Sequence, residues 1–573
     1  MLSNQAESVA LETYALRSCN YLGRMVDSSS QPYFNVFWTE PAEAAHDWPD
    51  FGDVMSRQLQ AAIMARHMTG TQLSIEPIWL DTLLARIDAE TGLLIRPETN
   101  YSKPVADGGD QALTLYTLVT AYLDRSDPHL RHVIEKMVTS LLERTQHGIS
   151  LGQGFVGGFI IKSLMAAVRN LDCESALELA RLLVKRVFDD EPLFTSDNRF
   201  LFGGHMHGNL RTLVGVADYA LYTHDTALFA RVDALYQYVR SRGTRFGFLP
   251  EVDGRKGDIV ACETCALMDY IGLGTTLANH GHPEYWDDVE RTVRNQLIES
   301  QVVDASWLHG DPNRPDSQQF TWRDVGDRMV GGYAGWSSPT HILAARETLG
   351  AHWGGPELHG KTRAFQNCCG GSGTHAFFIV WKNAVRFASG RLSVNMHFDK
   401  LIPEAEIRSF QPYQGLLTIA LKTACEVRIR IPDFVNCTEM VAQADGKVIE
   451  SSCDGHFMAL GKHPAGTFLK VTYPLPTNEE GVVIGNSGFR QYHYQVMWKG
   501  NTVIEMLPRG NDASDMADTA YSDFERGEVS VFYGEQGPGR LYQRAQYKSN
   551  ALPQPALLHE DDGLLNLWLL EEK

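Results

Sequence analysis

From residue 3 to about residue 388 the apolar residues of this chain recur mostly at i, i+3, i+4 and i+7, and beyond that point they alternate with polar ones. Segments such as DVMSRQLQAAIMARHM, QALTLYTLVTAYLD, PHLRHVIEKMVTSLLERT, ESALELARLLVKRVF and CALMDYIGLGTTLAN each carry an apolar stripe that must be buried. About a dozen of them follow one another through Gly-, Pro-, Asp- and Asn-rich turns, with no strand between. Sequential helical hairpins in that number suit a closed helical toroid better than a four-helix bundle. After residue 388, runs such as RLSVNMHF, GLLTIALKTACEVRIRIP, GTFLKVTYPLP and YHYQVMWKGNTVIEMLP read as strands of a β-sandwich. The expected fold class is α+β multidomain. A helical catalytic domain covers 1–388 and a β-sandwich 389–480, and 481–573 forms a second sandwich or continues the first, with the break near PLPTNEEG.

At 573 residues, 43% apolar and 21% charged, the chain can bury a sizeable core and is not a mainly disordered polymer. Its net charge of −19, with no dense Lys/Arg stripe, argues against nucleic acid or an anionic membrane as partner, because phosphate binding needs concentrated positive charge. The start, MLSNQAESVALETYALRS, lacks a basic segment followed by an apolar one, and no run approaches the ~18 apolar residues of a membrane helix, so a cytoplasmic location is expected. Nine cysteines are an odd number for a disulfide framework, and the five scattered ones read as small apolar residues. The other four form two tight pairs, Cys262 with Cys265 and Cys368 with Cys369.

The pairs lie in IVACETCALMDYIG and NCCGGSGTHAFF, each opening a helix. Three or four thiolates and a carboxylate from two elements match the tetrahedral S, N and O coordination of zinc. On a regular helix Cys262 and Cys265 share a face, whereas Glu263 and Cys265 do not. If Thr264 is the N-cap, Glu263 precedes the helix and escapes that rule, so Cys262 and Glu263 compete for one ligand position. Both zinc and a helix N-terminus favour thiolate, which makes Cys368 a candidate nucleophile, with a purely structural zinc knot as the alternative. The GGSG stretch after the vicinal pair reads as a loose glycine-rich turn.

At these residues the sequence resembles the β-L-arabinofuranosidase family, glycoside hydrolase family 127, whose members carry an E-T-C motif and a downstream Cys-Cys. Here these are Glu263-Thr264-Cys265 and Cys368-Cys369. HDWPDFGDVMSRQLQAA, GGHMHGNLRTLVGVADYAL and YWDDVERTVRNQLIES also resemble family segments, so the likeness in motif order spans most of residues 46 to 388. The resemblance implies an (α/α)6 barrel followed by β-sandwiches. It implies zinc held by Glu263, Cys265, Cys368 and Cys369, and Cys368 as the nucleophile of a retaining, exo-acting glycoside hydrolase that releases β-L-arabinofuranose or a related sugar.

The family's acid/base glutamate lies shortly before E-T-C, where this chain offers Glu251, Asp253 and Asp258. Glu251 is preferred because it follows the apolar FGFLP, which desolvates it and raises its pKa as a general acid requires. His205 and His207 stand where the family places a sugar-binding histidine, with Asp53 and Trp48 as further candidates for the same mouth. Two departures bear on the substrate. The family's P-P-N after the vicinal pair is GGSGTH here, and Phe159 in VGGFIIKSL replaces a histidine. A carbohydrate is the expected partner, with neither nucleic acid nor membrane and a homodimer left open. The competing readings are a zinc hydrolase or epimerase-like sugar enzyme without a cysteine nucleophile, and a non-catalytic glycan-binding protein with structural zinc.

Overall fold

Local chemistry starts and stops the helices. Asp107, Asp127 and Asp225 sit in non-helical conformation at N-caps and accept hydrogen bonds from backbone N–H groups of the first turn. Gly70, Ser126 and Asp172 close helices in the left-handed region. In this computed structural model the described residues are 10–46, 48–152, 154–201, 204–253, 261–342, 344–347, 364–484, 492–507 and 530–533.

The helices are α1 (Leu11–Arg24), α2 (Asp53–Thr69), α3 (Ile75–Ala85), α4 (Gly108–Arg125), α5 (Pro128–Gln146), α6 (Ile161–Leu171) and α7 (Glu174–Lys185). They continue with α8 (Met206–Tyr222), α9 (Thr226–Arg242), α10 (Thr264–Asn279), α11 (Tyr285–Thr292), the short α12 (Val325–Met329) and α13 (Cys368–Asn383). Helix α2 packs on α4, α4 on α6, α6 on α8, α8 on α10, α10 on α13, and α13 back on α2. Among the described residues this is a closed ring of six inner helices, backed by α1, α3, α5, α7, α9 and α11. The inner helices are buried nearly all round, so polar residues such as Arg57, Gln58 and Gln60 of α2 and Lys162 of α6 are taken inside along with the apolar stripe. Gly154–Leu171 has the length and hydropathy of a membrane span, yet 72% of it lies buried inside this toroid.

Short strands β1 (Asn35–Phe37), β2 (Glu43–Ala45), β3 (Phe320–Thr321), β4 (Ala344–Glu347) and β5 (Ala364–Gln366) lie among the helices. Of these, β3, β2, β1 and β5 form one sheet, in that order, and β5 leads directly into α13.

After α13 the chain enters a β-sandwich. Its strands are β6 (Val385–Ala388), β7 (Arg391–Val394), β8 (Lys400–Ile402), β9 (Ala405–Ser409), β10 (Leu416–Leu421), β11 (Cys425–Arg430), β12 (Val441–Ala444), β13 (Lys447–Val448), β14 (Ser452–Asp454), β15 (Phe457–His463) and β16 (Phe468–Thr472). They form a five-stranded sheet, β14-β15-β11-β7-β6, facing a six-stranded one, β13-β12-β16-β10-β9-β8. Alternating residues such as Val427, Ile429, Ile407, Ile419 and Val471 fill the space between.

Strands β17 (Thr477–Ile484), β18 (Tyr492–Lys499) and β19 (Thr502–Leu507) make an antiparallel three-stranded sheet. Its inward residues Tyr494, Val496, Trp498, Val503 and Met506 join the core of the toroid rather than that of the sandwich. Strand β20 (Ser530–Tyr533) pairs with β4. The fold class is therefore the expected one, an (α/α)6 toroid followed by β-sandwich structure.

Three expectations are corrected. The helical region is not free of strands, since β1 to β5 lie between its helices. GGSG is not a turn but the opening of α13. Its glycines are demanded by packing, since a Cβ on Gly370 would meet the Tyr21 ring at 2.4 Å, one on Gly371 the backbone of Arg57 at 2.7 Å, and one on Gly373 the Tyr333 ring at 2.4 Å. The five scattered cysteines are not all lone apolar residues, because Cys437 and Cys453 form a disulfide. The pair staples the stretch holding the short, exposed strands β13 and β14, where little apolar surface is available to hold the chain. An odd total does not forbid one bridge.

The sandwich and toroid are joined by buried charge. Arg430, fully buried, pairs with Asp287 and Glu290 of α11 and donates to the Asn395 carbonyl at 2.6 Å. Burial alone would raise Glu290, but Arg294 and Arg430 outweigh it and hold the carboxyl at about 2.

Candidate active site

The residues that open four inner helices meet at one place. Strand β5 pairs with β1, and Asn367 then donates from its backbone to Phe34 and from its side chain to the Tyr33 carbonyl, at 2.7 and 2.8 Å. That anchor sets Cys368 and Cys369 as the first residues of α13. Glu263 is itself the N-cap of α10, in extended conformation, so its side chain is free of the helical face rule. Cys265 is the second residue of the same helix, in its first turn.

One donor atom each from Glu263, Cys265, Cys368 and Cys369 lies within 4.8 Å of the others. The Cys265 and Cys369 sulfurs are 3.4 Å apart, and Phe34 and Val54 pack around the three thiols. Cys262 is turned the other way. Its side chain belongs to the toroid core, and its backbone pairs with Ser337 at 2.8 and 3.1 Å. Among the described residues Cys262 takes no part in the four-donor group.

A second trio adjoins the first, with His205, Glu251 and Glu263 also offering atoms within 4.8 Å of one another. The backbone explains this. Residues 204–206 run antiparallel to 251–253, through the His205–Val252 bridge and the bonds Met206 N to Glu251 O and Asp253 N to Gly204 O, both 2.8 Å. Gly204 has φ +53°, and a Cβ there would lie 2.0 Å from the Asp253 carbonyl, so this approach requires glycine. His205 Nε2 is 3.1 Å from Glu263 Oε2. Burial alone would raise Glu263, but that hydrogen bond and the charge of His205, with Arg57 beyond, hold it at about 2.

The three thiols differ. Hydrogen bonds from Cys265 and then Cys369 draw Cys368 down to about 6, against its burial, while burial pushes the Cys265 and Cys369 thiols up. Cys368 is also the thiol with measurable exposure, 7% against 0% for the other two. The N-terminal position on α13 adds a helix dipole that favours the thiolate.

The remaining candidates separate cleanly. Asp253 is engaged by Tyr238 and by Arg242 Nε at 2.6 Å, and Asp258 and the side chain of Trp48 lie outside the described residues. Asp53 opens α2 and pairs with Arg57. His207 is buried, its Nδ1 2.7 Å from Asp269 and its Nε2 3.1 Å from an Arg57 nitrogen. Because a guanidinium only donates, Nε2 accepts and the proton sits on Nδ1, which leaves His207 saturated by protein. His205 is the more exposed of the two, at 23% of its side chain, with the half-buried Phe155 ring 4.8 Å away. Phe159 stands 5.3 Å from the His207 ring.

Four residues of this neighbourhood carry no motif and were not singled out above. Arg57 reaches the thiol cluster from α2, Ser372 lies 3.3 Å from Cys265 Sγ, and Asp269 links His207 to Lys162 at 3.3 Å. Burial pulls the Lys162 ammonium down to about 8 despite Asp269. Burial alone would raise Asp269, but Lys162 and His207 outweigh it and hold the carboxyl well below the usual range. The available signal was a charge inside an apolar run, Lys162 in FIIKSLMAAV and Asp269 in CALMDYIG, which on an inner helix must find a partner.

The fold and site together define a class of protein, an (α/α)6 toroid with a C-terminal β-sandwich and a buried thiol–carboxylate centre at the openings of its inner helices. Solved structures sharing this fold include a β-L-arabinofuranosidase of glycoside hydrolase family 127 from Geobacillus stearothermophilus T6, at 13% identity and TM-score 0.54, over 86% of this chain and 80% of that one. Another family 127 β-arabinofuranosidase gives 13% identity and TM-score 0.56, over 87% and 81% of the two chains. A third structure, of a glycoside hydrolase, gives 13% and 0.55 over 80% and 77%. No protein-family model matches the sequence, and no curated protein matches it. The family resemblance read from the motifs is thus met at the level of the fold, with sequences far diverged.

Proposed function

We propose that the chain is a retaining, exo-acting glycoside hydrolase with Cys368 as nucleophile and Glu251 as acid/base, releasing β-L-arabinofuranose or a related sugar. The observation that carries this reading is the adjacency of the two donor groups, three thiols and Glu263 on one side, His205 and Glu251 on the other, sharing Glu263. The donor set suits zinc. Tetrahedral zinc with bonds of about 2.3 Å to sulfur places its ligands about 3.7 Å apart, and these four donors already lie within 4.8 Å of one another and out of water. Glu263, Cys265, Cys368 and Cys369 would hold the ion, which when bound keeps thiolates ionised at neutral pH.

In the first step the Cys368 thiolate attacks the anomeric carbon, the glycosidic C–O bond breaks, and the Glu251 carboxylic acid gives its proton to the leaving oxygen. In the second, the Glu251 carboxylate takes a proton from water, which attacks the same carbon and returns the sulfur as thiolate. Two inversions give net retention. His205, with its exposed face beside Glu263, serves the sugar. His207 holds Arg57 and Asp269 in place.

Incubation with aryl β-L-arabinofuranosides and a bromoacetamide-bearing arabinofuranose, followed by peptide mass spectrometry and NMR of the released sugar, tests the reading. Alkylation of Cys368 with retained configuration supports it. A chain that holds one zinc, hydrolyses nothing and leaves Cys368 unlabelled refutes it in favour of structural zinc.

A further inference from the structure

Arg57 gathers four helices with one side chain. One terminal nitrogen lies 3.8 Å from Cys265 Sγ on α10 and 3.1 Å from Ser372 Oγ on α13, and the other lies 3.1 Å from His207 Nε2 on α8. Its Nε is taken by Asp53 on its own helix. Ser372 in turn is 3.3 Å from Cys265 Sγ, so the guanidinium and the hydroxyl brace the same sulfur. The arginine side chain is 5% exposed. Of these partners only Cys265 belongs to the cysteine and glutamate motifs.

The charge balance shows why a cation is needed there. Three thiolates and a carboxylate carry four negative charges, and a divalent ion offsets two of them. The remainder sits in a buried site, where uncompensated charge is costly. A guanidinium suits the place better than an ammonium, because its planar fork addresses Cys265 and Ser372, His207 and Asp53 at the same time.

We infer that Arg57 is a positioning residue of the metal-holding cluster, offsetting its excess negative charge and fixing the orientation of Cys265 through the fork shared with Ser372 and His207. This rests on the zinc–thiolate reading above, and it requires no contact between Arg57 and the sugar. Outer partners of this kind characteristically change metal affinity by about 10- to 100-fold.

The test compares wild type, R57Q and R57K for zinc affinity by competition with a chromophoric chelator, and for the thiolate-to-metal charge-transfer band of the cobalt(II) forms at matched occupancy. Far-UV circular dichroism of the metal-free proteins confirms folding. R57Q is expected to hold zinc 10- to 100-fold more weakly and to shift the band. R57K, which keeps the charge and loses the fork, falls between and answers the question by itself if R57Q does not fold. Zinc held by either variant within twofold of wild type overturns the inference and leaves the proposed function standing. A wild type that takes up neither zinc nor cobalt overturns both.

Discussion

Replacing Gly371 by alanine in α13 is a local change with two opposed effects. Inside a helix the substitution gains about 1 kcal/mol of propensity. Against that, the new Cβ would meet the backbone carbon and oxygen of Arg57 at 2.7 Å and its Cβ at 2.9 Å, and these atoms cannot rotate away. Ordinary contact begins near 3.4 Å, so α2 and α13 must part by about 0.7 Å at the turn that carries Arg57. Overpacking of this kind costs about 1–3 kcal/mol, which leaves a net loss of up to about 2 kcal/mol. The parting also separates Arg57 from Ser372, so turnover falls more steeply than stability, by up to about 100-fold. Gly23 in α1 is the control, with its nearest neighbour Leu73 at 3.9 Å, and G23A is expected to be neutral or stabilising by up to about 1 kcal/mol. Denaturant unfolding of the metal-free variants and arabinofuranosidase assays at equal zinc content measure both effects. If G371A proves as stable and as active as G23A, the close approach of the two helices is not what requires glycine there.

E251Q should lower turnover by roughly 100- to 10,000-fold, with a smaller loss for aryl glycosides whose leaving groups need no proton; an equal loss for all of them would remove Glu251 from the acid role. His46 is buried between Asp50 at 2.7 Å and Asp27 at 3.4 Å. Burial pulls the imidazole down, but those two carboxylates raise it to about 9 from 6.5. Its stabilisation, about 3 kcal/mol, is fully present below pH 6.5 and is lost as the pH rises through 9. Unfolding of wild type and H46Q from pH 6 to 10 should therefore converge at the alkaline end, and parallel curves would contradict the pairing. R430A removes the buried cation beside Asp287 and leaves Glu290 to Arg294 alone, and should cost about 3–5 kcal/mol in denaturant unfolding, whereas a loss below 1 kcal/mol would mean that water already reaches Asp287.

Periodicity sufficed for the toroid because every inner and outer helix must bury apolar surface, and the change of period near residue 388 marks the point where α13 ends and the sandwich begins. The cysteine clusters were legible because few structures explain two tight thiol pairs in a chain with this much core. Helix geometry left Glu263 and Cys262 competing and only the E-T-C resemblance pointed to Glu263, since its placement turns on one extended residue at the start of α10. GGSG misled for a related reason. Glycine signals a turn when the backbone needs freedom, and here it signals a lack of room beside Tyr21, Arg57 and Tyr333, none of them near it in sequence. Arg57 and His207 escaped notice as functional partners because their meeting depends on how α2 and α8 face each other across the ring.

The ring closes where α13 meets α2, two helices about 300 residues apart in the chain. During synthesis, loop entropy and the ribosome keep those ends separate until nearly the whole toroid has emerged, because domains fold as units once their sequence is available. Every thiol of the cluster except Cys265 arrives with that last inner helix. Until then a nascent chain presents only Glu263 and Cys265 of the four donors. The sulfurs are brought together in the same event that seals them from solvent, so the four-donor cluster exists only in a chain whose toroid is complete.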